Sequence, residues 1–174
     1  MLTLTAFVLV TGIVGSSALE LPKGWRPPTK TEAQSDDIRK ESPSGYSEAI
    51  ADFNGDGIED QAFLLKSTTF SGEALWVRLS DKSKGFKWIL LSEVNWGPEY
   101  PSVDLVMAID VEKPGQVTYA CYDEDKECEF GDRDQRPKLT LPNSSLVYFK
   151  PESAASLYFW SAERNRFIKV WLSD

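Results

Sequence analysis

The chain has 174 residues, with 27 acidic and 19 basic side chains, a formal net charge of −8 and no histidine. That length suits one domain with a core of its own. The acidic balance argues against nucleic acid and anionic membranes as partners, because their phosphates need basic patches. The missing imidazole removes the commonest general base, the usual zinc ligand and the usual pH switch.

Residues 1–18 carry no charged side chain, and Leu2–Val14 is an apolar run broken only by Thr and Gly. Ser16-Ser17-Ala18 then places small residues at the −3 and −1 positions of a cleavage site. This is the pattern of a secretory signal peptide, although no Lys or Arg follows Met1. The run is shorter than the roughly 20 residues that span a bilayer. The expectation is removal of 1–18, a single domain over 19–174, a periplasmic or secreted location and no stable membrane insertion after cleavage.

Leu19–Pro28 is rich in Pro and reads as an extended segment, with Trp25 as a hydrophobic anchor. Thr29 or Thr31 can cap one short helix running to about Lys40, with acidic residues early and Arg39-Lys40 late, as the helix dipole favours. Ser42-Pro43-Ser44-Gly45 ends it. Short alternating runs then predict strands near 46–51, 61–67, 73–80, 86–92, 103–111, 115–121, 137–141, 145–149, 155–161 and 166–172. In the hairpin 73–92, Leu75, Val77 and Leu79 alternate with Trp76, Arg78 and Ser80. The fold class expected is mainly β, an antiparallel sandwich, barrel or bent meander with one short N-terminal helix.

The residues that carry chemistry are Asp52-Phe53-Asn54-Gly55-Asp56-Gly57-Ile58-Glu59-Asp60. Oxygen-bearing side chains recur at positions 1, 3, 5 and 9 of this stretch. A loop wrapped around a hard cation turns alternate side chains inward. The carboxylates of Asp52, Asp56 and Asp60, the amide oxygen of Asn54 and the backbone carbonyl of Ile58 form the expected ligand set. Gly57 at position 6 permits the sharp turn. Six or seven oxygens suit calcium, whereas magnesium demands a smaller octahedron and keeps its waters. An EF-hand would place a bidentate Glu at position 12, but Phe63 stands there and a strand follows. The alternative is an Asx-rich β-turn that holds no ion.

The stretch ADFNGDGIEDQAFLL resembles the calcium loop of FG-GAP or VCBS-type repeats, found in integrin α-subunit propellers and secreted bacterial proteins. That resemblance implies a loop bridging two strands, with calcium held at the positions of Asp52, Asn54, Asp56, Ile58 and Asp60. One copy is present where a propeller needs several blades, so a complete propeller is not expected. The remainder, including the two-Cys segment 121–128 and the ending YFKPESAASLYFWSAERNRFIKVWLSD, resembles a group of small exported bacterial proteins. This second resemblance implies a compartment and a fold, and no activity.

Cys121 and Cys128 are the two cysteines. In an exported chain such a pair favours a disulfide, and zinc would need further Cys or His. The acidic residues from Asp123 to Asp134 read as a solvated loop without the spacing or glycine of the first. Trp96 and Tyr100 share the loop NWGPEY and are the candidate surface-binding pair; most other Trp residues fall in strands and read as packing. No Ser has a His partner and no phosphate-binding Gly loop is present, so no catalytic residue is assigned. Asn143-Ser144-Ser145 is a formal glycosylation sequon, without consequence if the source is a bacterium, as the resemblance implies. The function expected is an exported calcium-binding protein with a structural ion and a binding or interaction role toward a protein or glycan. The alternatives are a cell-wall or glycan hydrolase using carboxylates that the sequence does not single out, or an inhibitor or immunity-type protein.

Overall fold

The computed structural model describes residues 19–83, 85–100, 104–120 and 137–173. The chain is mainly β, built from antiparallel sheets that are not closed into a barrel. In the first sheet, β3 (Asp60–Ser67), β4 (Gly72–Asp81) and β5 (Gly85–Asn95) run as a meander. The short strands β1 (Trp25–Arg26) and β2 (Glu48–Ala51) both pair with the other side of β3. In the second sheet, β9 (Ser145–Phe149), β10 (Ala155–Ser161) and β11 (Arg166–Ser173) form a meander whose free side receives β6 (Ala108–Glu112). A two-stranded ribbon joins β7 (Gly115–Thr118) to β8 (Lys138–Leu141).

Period-two alternation decides how these sheets stack. Leu64, Leu75, Val77 and Leu79 of the first sheet meet Ile109, Leu146, Tyr148, Tyr158 and Trp160 of the second in one buried cluster. The intervening residues of the second sheet, Leu157, Phe159 and Val170, bury against Tyr119, Leu139 and Leu141 at the ribbon. The second sheet is therefore apolar on both faces and forms the middle layer. An isolated bridge between Ala120 and Trp171 ties the ribbon to β11.

Two expectations are corrected. The helix from Thr29 toward Lys40 is broken into a single α-turn, α1 (Lys30–Ala33), and a separate 3-10 turn, Ile38–Glu41. Thr29 and Glu32 form a reciprocal capping box at the start. Asp36 Oδ1 then accepts the Arg39 amide at 2.8 Å, drawing the backbone into a turn rather than a continuing helix. The strand expected over 103–111 begins only at Ala108, while Asp104–Met107 are irregular and 101–103 lie outside the described residues. The reason is Glu73, whose carboxylate accepts the amides of Val106 at 3.0 Å and Met107 at 2.6 Å. Those amides are then not free for a strand ladder.

Glu73 is fully buried, with Lys66 Nζ 3.9 Å away. Arg39, equally buried, donates to the Gly45 carbonyl at 2.8 Å and the Met107 carbonyl at 2.7 Å. Burial pushes the Glu73 carboxyl above its usual range, against the opposing pull of the Val106 and Met107 amides and of Lys66 and Arg39.

Candidate functional site

The loop 52–60 joins β2 to β3 at one corner of the first sheet. Ala51 and Asp60 are paired residues, so the loop starts and ends across one ladder rung. Phe53 is fully buried in the core between the sheets and anchors the loop from below. Gly57 has φ +84° and Gly55 φ +76°, both in the left-handed region. The turn that the sequence assigns to Gly57 is thus present. A Cβ on Gly57 would meet open space, but one on Gly55 would lie 2.7 Å from the side chain of Asn143.

The loop's oxygens collect its own amides. Asp52 Oδ1 accepts from Gly55 at 2.7 Å and Asp56 at 3.1 Å, and its Oδ2 accepts from Gly57 at 2.8 Å. Asn54 Oδ1 accepts from the Asp56 amide at 2.9 Å. Asp56 Oδ1 accepts from the Ile58 amide at 2.8 Å, and its Oδ2 accepts from Ser80 Oγ at 3.0 Å. Asp60 is fully buried; it accepts from Phe53 N at 2.8 Å, Asn54 N at 3.4 Å and Ser80 N at 2.7 Å. Asn54 Nδ2 also donates to the Ser80 carbonyl at 3.2 Å. Ser80 on β4, 20 residues beyond Asp60, therefore braces the loop through its amide, carbonyl and hydroxyl. Sequence spacing gave no sign of Ser80 or Asn143, because both come from strands or turns remote along the chain.

Among the described residues, no three His, Cys, Asp or Glu side chains converge as a ready metal cluster. Asp52, Asp56 and Asp60 also have no Lys or Arg within ion-pair distance among the described residues. The donor set is nevertheless of the kind a hard cation takes: carboxylate, amide and carbonyl oxygens on one short loop. Each ionised carboxylate has about four lone-pair positions, so the amide bonds above leave acceptor capacity on all three. The residues fit calcium in donor chemistry, with charge to neutralise and left-handed glycines to let the backbone curl.

The other sequence candidates divide. Trp96 and Tyr100 do share a loop, and Ser71 braces it by accepting the Trp96 amide at 2.9 Å and donating its hydroxyl to the Tyr100 carbonyl. Tyr100 is exposed, but Trp96 is half-buried with its indole N–H turned inside, so the pair is not a flat two-ring platform. Trp25 is the anchor expected: it packs edge-on against Phe70 at 5.8 Å and Trp76 at 6.1 Å. Cys121 and Cys128, the acidic segment 123–134 and residues 1–18 lie outside the described residues.

No helix of the described residues is long and apolar enough to cross a membrane. No protein-family model, curated protein or solved structure matches this chain.

Proposed function

We propose that this chain is an exported binding or interaction protein whose loop 52–60 takes one structural calcium ion. The observation that carries the reading is Asp60. It is a fully buried carboxylate met by neutral amide donors alone, with no basic side chain within ion-pair distance among the described residues. A buried charge without a countercharge is expensive, and Asp52 and Asp56 add like charge on the same loop.

When bound, calcium supplies the positive charge that offsets these carboxylates. Asp52, Asn54, Asp56, Asp60 and the carbonyl of Ile58 are the residues proposed to hold it. Phe53 fixes the loop to the core and Ser80 fixes it to β4. The ion's role is then to lock the β2–β3 corner against the rest of the first sheet. Export rests on the apolar run Leu2–Val14 and the small residues before Leu19.

The test is thermal unfolding of the purified protein after EDTA treatment, with calcium or magnesium then added back. A calcium-selective rise in melting temperature is expected, abolished in Asp56→Ala. No response to either ion, or an unchanged calcium response in Asp56→Ala, sinks the proposal.

A further inference from the structure

The outer face of the first sheet, turned away from the second, is unusually aromatic for a solvent-facing surface. Phe63 and Trp88 lie 5.7 Å apart, and Trp76 meets Trp88 edge-on at 6.4 Å. Phe86 remains 45% exposed and Leu90 43%. The segment after Leu19 crosses this face, and its Glu20 carbonyl accepts the Trp88 indole N–H at 3.0 Å. Between segment and sheet lies an open cleft of about 730 Å³, lined by Glu20, Leu21, Gln61, Arg78, Phe86 and Trp88.

Arg78 is the group in this cleft that calls for a ligand. Its guanidinium carbon lies 3.5 Å from the centre of the Phe86 ring. Its Nη1 donates to Gln61 Oε1 at 3.0 Å, across the β3–β4 rung that pairs the two residues. Stacking and hydrogen bond hold the planar fork in one orientation, which lowers the entropy lost when it engages a ligand. No carboxylate lies within ion-pair distance of Arg78 among the described residues. In a chain of net charge −8, with more acidic than basic side chains, such an arginine is conspicuous.

We infer that this cleft binds a carboxylate-bearing saccharide, with Arg78 engaging the carboxylate and Trp88 stacking on a sugar ring. An arginine fork matches a carboxylate in two-point geometry. Flat aromatic faces suit the apolar faces of sugar rings, and the Gln61 side-chain amide suits ring hydroxyls. The cleft is open and lies on a sheet face, which favours flat rings over the separate side-chain pockets that an extended peptide would require. The inference gives a ligand class to the binding role proposed above and is independent of the calcium site.

The test is calorimetric titration of the intact protein in sodium buffer holding only enough calcium to fill the proposed loop site, with each probe titrated into the same buffer without protein so that uronate–calcium chelation is subtracted. The probes are trigalacturonate, its trimethyl ester and a hexapeptide with a free C-terminal carboxylate. Trigalacturonate is expected to bind, and the ester to bind about ten- to a hundredfold more weakly, the range for losing a charged hydrogen-bond pair. Arg78→Gln should lose binding to a similar extent. Arg78→Lys keeps the charge without the fork, should lose several-fold, and decides the matter if Arg78→Gln fails to fold. No binding of trigalacturonate, equal binding of the ester, undiminished binding in a folded Arg78 variant, or preference for the peptide overturns the inference. Each of those results leaves the calcium-dependent melting unaffected, so the two proposals fail separately.

Discussion

The Ser80 amide donates to the fully buried Asp60 carboxylate at 2.7 Å, joining the last residue of the acidic loop to the far end of β4. Phe53 N donates to the same carboxylate at 2.8 Å from within the loop. One side chain thus closes the loop on itself and onto the sheet.

Asp60→Asn is expected to lower stability by about 1–3 kcal/mol, because an amide nitrogen would face a backbone donor and one buried N–H would lose its acceptor. Urea unfolding in EDTA measures this effect without any ion. The same variant should also respond less to calcium, since one negative ligand is removed. An unchanged urea midpoint in EDTA would show that the Asp60–Ser80 link does not hold the corner.

The two loop glycines separate backbone strain from crowding. Gly57→Ala meets open space, so its expected loss is the left-handed penalty alone, about 1–2 kcal/mol. Gly55→Ala carries the same penalty and also presses on the Asn143 side chain. Combining it with Asn143→Ala should recover about 0.5 kcal/mol or more relative to additivity. Strict additivity in that double-mutant cycle would remove Asn143 from the loop's support.

Glu73 sets a pH dependence. Its carboxyl is raised above the ordinary carboxylate range in the folded state, chiefly by burial. The folded chain therefore holds this proton more tightly than the unfolded chain, and the stability so gained is full below about 4.5. It is lost as pH rises through the folded-state value. Glu73→Gln should flatten this part of the stability profile, as read by chemical unfolding at successive pH values from about 4.5 upward. A variant profile that falls over that window as steeply as the parent's would assign the effect to other groups.

Legibility in the sequence followed the range of the interactions. The strands 145–149 and 155–161 begin and end where alternation and turn residues place them, because hairpin contacts are local. Gly57 was legible for the same reason: its left-handed backbone follows from its place in a short loop. Glu73, in contrast, ends the expected strand before Ala108 from 33 residues away, and nothing in either segment reports the other. Asp36 cut the helix by capturing the Arg39 amide, a choice between local bonds that propensity does not decide. The outward-facing Trp88 reads as strand packing, and only its register beside Arg78 shows that it lines a cleft.

The central position of the second sheet bears on the order in which a growing chain can fold. Residues 25–95 contain every strand of the first sheet, so its hairpins can close soon after they are made. Their inner face, including Ala62, Leu64, Leu75 and Val77, packs on a layer whose β9, β10 and β11 come last in the sequence. During synthesis the first half therefore offers an uncovered apolar sheet until residues 145–173 emerge, the circumstance in which partly folded chains associate. For the export proposed above, this delayed closure would keep the chain threadable while leaving it dependent on protection from its neighbours.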